Sequence, residues 1–152
     1  MTQTEKSFPH EEITSAILSG SFDVFNELGH GFSEKVNRSA LALVLRQKGL
    51  TAVEEQILRV IFRNQVIGTF FADLVVEGVI LVELKAAPAI EPWMEAQLLN
   101  LLKAAGGGVG MLLNFGRRVD YRRRISGDNP RDSLPVLRQG CPQARTDGSE
   151  RG

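Results

Sequence analysis

Three charged residues stand in this sequence where a plain apolar strand would carry none. In VILVELK, Glu83 and Lys85 are two residues apart and so project from one face of their strand. Asp73 lies in the preceding strand-like run, inside FFADLVV. Placing such charges in a sheet costs several kcal/mol per ion unless each is paired or holds a metal. Asp-x9-Glu-x-Lys offers one solution. Two carboxylates can share a hard divalent cation such as Mg²⁺, while the lysine holds or deprotonates a metal-polarised water. The plainer alternative is a same-face ion pair between Glu83 and Lys85 on a half-exposed strand.

Register separates these readings. A strict two-residue hairpin at Glu77-Gly78 puts Asp73 opposite Val82 and turns Glu83 to the other face. A three-residue connection, or one bulge, puts Asp73 directly across from Glu83, with Cβ atoms ~5 Å apart. A shared metal therefore requires the odd loop.

The elements that must position these groups follow from periodicity. Ile13, Ala16, Ile17, Gly20, Val24 and Leu28 mark an amphipathic helix over 12–28, which Gly29-His30-Gly31 breaks. A second helix is expected over 33–48, with Val36, Ala40 and Val44 facing inward and Gly49 closing it. Strands are expected over 53–63, 66–76 and 79–86, with Asn64-Gln65 turning between the first two. A third helix over 93–105 ends at a triple glycine, and strands over 109–115 and 119–125 follow. From 126 onward the periodicity is lost, so the expectation is one domain over 1–126 and a flexible polar tail over 127–152. The order predicts an α/β sandwich with a mixed central sheet flanked by helices.

Composition limits the function classes. Lysine plus arginine and aspartate plus glutamate both number 18, so overall basicity gives no argument for nucleic-acid binding. The single cysteine, Cys141, excludes an internal disulfide framework and a cysteine-built zinc site. The apolar runs fall short of the ~20 residues of a membrane helix, and MTQTEKSFPHEE lacks a signal-peptide core. A cytoplasmic protein without membrane association is expected.

Several pieces together carry a family resemblance. They are LGHGFSEKVNRSAL, Gln56, ADLVVEGVILVELKA, AQLLNLLKAAG and GMLLNFG, spread in this order over 13–125. The chain resembles the GxxExxY proteins of the PD-(D/E)XK nuclease superfamily. That resemblance implies a restriction-endonuclease-like α/β core and Mg²⁺- or Mn²⁺-dependent phosphodiester hydrolysis of nucleic acid, DNA before RNA. It implies Asp73 and Glu83 as metal ligands, Lys85 as the catalytic lysine and Glu34 as the acidic residue completing the cluster. Gln97 matches the glutamine that orients a ligand or a backbone phosphate. A homodimer is compatible with so small a nuclease. The sequence departs from the pattern at Asn37, Phe25 and Leu101, where the family carries Tyr, His and Tyr. The alternative function is accordingly a binding module, for nucleic acid or a partner, that has kept the fold without catalysis.

Further candidates lie outside the core motif. Arg117, Arg118, Arg122, Arg123 and Arg124 stand against one Asp120. Arg122 and Arg124, sharing a strand face, and Arg117 and Arg118 beside them suit phosphate contacts. The same charges would equally protect an edge strand from pairing. The triple glycine at 106–108 lacks a following Gly-Lys-Ser/Thr and reads as a helix stop, not a phosphate loop. His10 and His30 have no paired ligand in sequence. Trp93 falls on the helical stripe and is expected in the core, with base stacking as the alternative.

Overall fold

In a computed structural model, residues 8–127 and Leu134 are described. The elements are α1 (Glu11–Leu28), α2 (Glu34–Gln47), β1 (Ala52–Phe62), β2 (Gln65–Val76), β3 (Ile80–Lys85), α3 (Pro92–Ala104), β4 (Gly108–Phe115) and β5 (Val119–Ser126). All eight occur in the predicted order, with ends shifted by a residue or so. No helix is long and apolar enough to cross a membrane.

The strands form one sheet in the order β1-β2-β3-β4-β5. Only β3 and β4 are parallel, with Glu83 beside Leu112 and Lys85 beside Asn114. A parallel pair needs a long crossover, and α3 supplies it. Apolar residues of the sheet divide between two cores. Ile17, Leu41 and Leu45 of α1 and α2 meet Leu74, Val82, Met111 and Leu113 on one face. Met94, Leu98 and Leu102 of α3 meet Val75, Leu81 and Leu112 on the other. Because Leu81 and Glu83 share a parity, Glu83 and Lys85 belong to the α3 face.

Local sequence chemistry sets the helix ends. The Ser33 hydroxyl accepts a hydrogen bond from the Val36 N–H at 3.3 Å and caps α2. Pro92 begins α3, where a missing N–H is harmless. The triple glycine does stop α3: Gly107 N–H closes on Leu102 O at 2.8 Å, and all three glycines have positive φ. The buried stripe of α2 differs from expectation. Asn37, Leu41, Ala42 and Leu45 are buried while Val36 is 41% exposed. The larger leucines, spaced by one turn, take the core and rotate the valine outward.

Strands β1 and β2 make a long hairpin turned by Arg63-Asn64, both with positive φ, one residue earlier than the sequence suggests. Its inner half contains an irregularity that matters for the site. Ala52 and Leu74 pack beneath α1 and α2, yet Leu58 and Ala72 pack beneath α3. Residues of equal parity on a straight strand would share a face, so both strands turn over in between. The ladder pairs Glu54 with Leu74 and Gln56 with Ala72 but omits the rung of Glu55 and Asp73. Glu55 has φ 54°, a left-handed conformation that a residue with a Cβ adopts only under strain.

Within the expected tail, one residue beyond Gly127 is described. Leu134 is fully buried in the α3 core, and its N–H donates to Gly78 O at 3.1 Å. Apart from Gly127 and Leu134, the expected 127–152 tail lies outside the described residues.

Gly116 joins the end of β4 to the loop after β3. A Cβ there would stand 2.7 Å from the Ala87 carbonyl oxygen, a backbone atom with little room to retreat. Gly116→Ala should therefore destabilise the protein by ~1–3 kcal/mol, the range for overpacking. A lower urea midpoint with an unchanged slope is the expected result, and an unmoved midpoint would contradict the close approach.

Candidate active site

The β2–β3 ladder contains the pairs Leu74–Val82, Val75–Leu81 and Val76–Ile80. Glu77, Gly78 and Val79 thus form a three-residue connection, and the same register carries Asp73 to the position opposite Glu83. The loop that a shared metal requires is present. Beyond Leu74, side chains replace the backbone ladder. Asp73 N–H donates to Glu83 Oε2 at 3.2 Å, and Leu84 N–H donates to Asp73 Oδ2 at 2.8 Å. Each carboxylate spans the seam to the opposite strand, and the break at Glu55 leaves Asp73 free to reach it.

The electrostatics of this pair are unfavourable without a cation. Glu83 is only 7% exposed. Burial, and then the adjacent Asp73 charge, push its carboxyl up to about 8 from an ordinary value of 4.5. The nearby Lys85 charge opposes the rise without cancelling it. Lys85 does not form the ion pair of the plainer alternative. Its Nζ donates to Gln97 Oε1 at 2.7 Å and stands 5.1 Å from the Trp93 ring centroid. Gln97 and Trp93 are four residues apart on α3, one turn of one face.

Arg38 of α2 approaches Asp73 from the other side, with Nη1 at 4.0 Å from Oδ1. It is anchored by Glu54, whose Oε1 accepts from Arg38 Nε at 3.1 Å and from the Ser39 hydroxyl at 2.9 Å. Burial tends to raise the Glu54 carboxyl, but those two hydrogen bonds and the Arg38 and Arg46 charges hold it below its usual range. Asn114 fixes the segment following Lys85: Nδ2 donates to Ala87 O and Oδ1 accepts from Ala87 N–H, both at 2.9 Å.

The structure thus gathers Asp73, Glu83, Lys85 and Gln97. Glu34 is not with them. It stands exposed in the first turn of α2, and among the described residues no three His, Cys, Asp or Glu side chains form a metal-holding group. Arg38, one turn further along the same face of α2, is the residue that reaches Asp73. Arg122 and Arg124 share the α3 face as expected, but both pair with Glu95. Their strand, β5, is an edge of the sheet. Arg117 and Arg118 are exposed in the β4–β5 turn, and Arg117 lines a cleft of about 340 Å³ with His30, Phe32 and Pro88. His30 Nδ1–H donates to Gly116 O at 3.2 Å, a loop-tying role. Trp93 leaves the expected core and is 54% exposed; Met94 takes the buried position beside it. Sequence reasoning gave no role to Arg38 or to the Asn114 side chain. The signal for Asn114 was available, since it is the one polar residue in GVGMLLNF, a strand buried throughout.

The donor set suits a hard divalent ion. Mg²⁺ keeps several waters and is held by one or two carboxylates together with substrate phosphate. Asp73 and Glu83 provide two such groups, and a dication there would take the place of the proton that burial and repulsion favour on Glu83.

Comparison with known proteins agrees with the architecture. A family model described as the PD-(D/E)XK nuclease superfamily matches residues 11–125. No curated protein and no solved structure matches the chain significantly.

The raised pKa of Glu83 has a thermodynamic consequence. Between pH 4.5 and about 8 the folded protein holds a proton on Glu83 that the unfolded chain has released. Stability of the metal-free protein must therefore fall as pH rises through that window, by at most ~1.4 kcal/mol per pH unit for one proton. Against Glu83→Gln in EDTA, the wild type should lose stability steadily from pH 5 to 8. Parallel unfolding curves for both proteins at every pH would contradict the buried pair.

Proposed function

The chain belongs to the PD-(D/E)XK nuclease superfamily, and from that premise we propose that it hydrolyses phosphodiester bonds in nucleic acid, DNA before RNA, using a divalent metal. Within the superfamily we place it with the GxxExxY proteins, on the motifs around Glu34, Glu83, Gln97 and Asn114. One observation carries the proposal. Asp73 and Glu83 face one another across the β2–β3 seam, while the Lys85 ammonium is drawn away to Gln97 and not spent on Glu83.

Asp73 and Glu83 are the residues that hold Mg²⁺ or Mn²⁺. When bound, the ion supplies Lewis acidity toward a phosphoryl oxygen and a water of lowered pKa. Arg38 steadies Asp73 from the side of α2. Gln97 fixes the Lys85 Nζ at the α3 edge of the site. From there the ammonium stabilises negative charge developing on the phosphate, or exchanges a proton at Nζ with the attacking water. Asn114 holds the Ala87 backbone so that the chain leaving Lys85 keeps one path. Arg117 and Arg118 extend positive charge beyond that path and suit non-specific phosphate contacts.

The binding-only alternative is favoured by one observation. Glu34 stands apart, so the acidic cluster lacks the third member that the resemblance implies.

A cleavage assay on single- and double-stranded DNA, with Mg²⁺, Mn²⁺ or EDTA, distinguishes the two. Metal-dependent cleavage is expected, with Lys85→Ala reducing the rate by ~10²-fold or more while nucleic-acid binding persists. Binding with no cleavage in either metal would establish the binding module, and full activity of the variant would remove the lysine from the mechanism.

A further inference from the structure

Trp93 is the only tryptophan of the chain, and its ring is more than half exposed at the rim of the site. A tryptophan normally buries a large apolar area, so an exposed one beside reactive groups calls for an occupant. The ring is held in a defined orientation. Its Nε1–H donates to Glu91 Oε1 at 3.1 Å, and the Lys85 ammonium lies 5.1 Å from its centroid. Its position follows from the same helix turn that supplies Gln97 to Lys85. A rigid aromatic face binds a nucleobase without regard to its identity, because every base presents a π-face.

The spacing selects which base. Ring and ammonium are separated by less than the span of one nucleotide, so a strand with a phosphate at Lys85 carries a neighbouring base to Trp93. Inside a duplex that base has both faces covered by its neighbours in the stack. We propose that Trp93 is a stacking platform for an unpaired nucleobase next to the cleaved phosphate, and that the substrate is accordingly single-stranded or unpaired at that point. The inference rests on the nuclease reading above and narrows its substrate. It leaves the sugar unspecified, since stacking is common to DNA and RNA.

The emission of wild-type protein reports on Trp93 alone, which allows a test without mutation. In EDTA, where metal-dependent cleavage is blocked, an unlabelled oligothymidine is titrated into the protein while tryptophan emission is followed. Anisotropy of a fluorescein-labelled copy gives binding independently, and a blunt-ended duplex of the same length serves as the comparison. Saturable quenching by the single strand is expected, with the midpoint given by anisotropy and little quenching by the duplex. Trp93→Ala should weaken single-strand binding about tenfold, Trp93→Phe should restore most of it, and neither should change duplex affinity. If the single strand binds by anisotropy but leaves the emission unmoved, the stacking inference falls while the nuclease reading stands. Equal quenching by strand and duplex would also overturn it. Absence of binding by either nucleic acid, in EDTA and again with Ca²⁺ supplied as a dication in place of Mg²⁺, would remove the nuclease reading and the inference together.

Discussion

Two carboxylates facing each other across a strand seam, one of them almost wholly out of water, form the constraint around which this molecule is arranged. Like charges at that range cannot both remain ionised without a compensating cation. The fold nevertheless uses them as structural links, each carboxylate accepting a backbone N–H from the neighbouring strand. Removing the pair would therefore relieve repulsion and open the β2–β3 seam at the same time. The strained Glu55, the three-residue turn after Val76 and the approach of Arg38 all serve to bring Asp73 to this place.

The two faces of the sheet divide the remaining work. The face under α1 and α2 carries the larger apolar cluster of the sheet. The face under α3 is apolar near Leu98 and Leu102 but polar toward the end of β3, where Gln97 and Trp93 meet Lys85. One helix thus seals a core with one part of its surface and orients the lysine with another. That economy follows from helical geometry, because residues four apart share a face and residues at other spacings turn inward.

Much of this was legible from residue types. The alternation in VILVELK placed Glu83 and Lys85 on one face, and turn arithmetic at Glu77-Gly78 stated what register a shared site needs. Element order was equally readable because most of the helices and strands end at or near a glycine, proline or cap with a local cause. What could not be read depends on long-range geometry. The turnover of β1 and β2 at Glu55 has no signature in the sequence, since any residue can be forced into a left-handed conformation by its partner strand. The outward position of Trp93 depends on Met94 taking the inward one, and periodicity alone does not rank two adjacent apolar residues. Glu34 falls on a motif, yet Arg38, one turn further along the same face of α2, is the residue that reaches Asp73, and helical phase does not rank one turn above the next. Leu134 is a single apolar residue in a polar stretch, and its burial follows from the space beside Gly108.

The central claim is that Asp73 and Glu83 form a cation site and not a structural ion network, and thermal melts of two proteins in two buffers test it most directly. Asp73→Asn keeps an oxygen to accept from Leu84 N–H while removing one repelling charge. In EDTA, at a pH above about 8 where Glu83 is also ionised, it should melt at or above the wild type. In Mg²⁺ the order should reverse, with the wild type gaining about 2.7 kcal/mol at a hundredfold excess over Kd and the variant much less. A variant that is destabilised in EDTA, with neither protein shifted by Mg²⁺, would contradict the account.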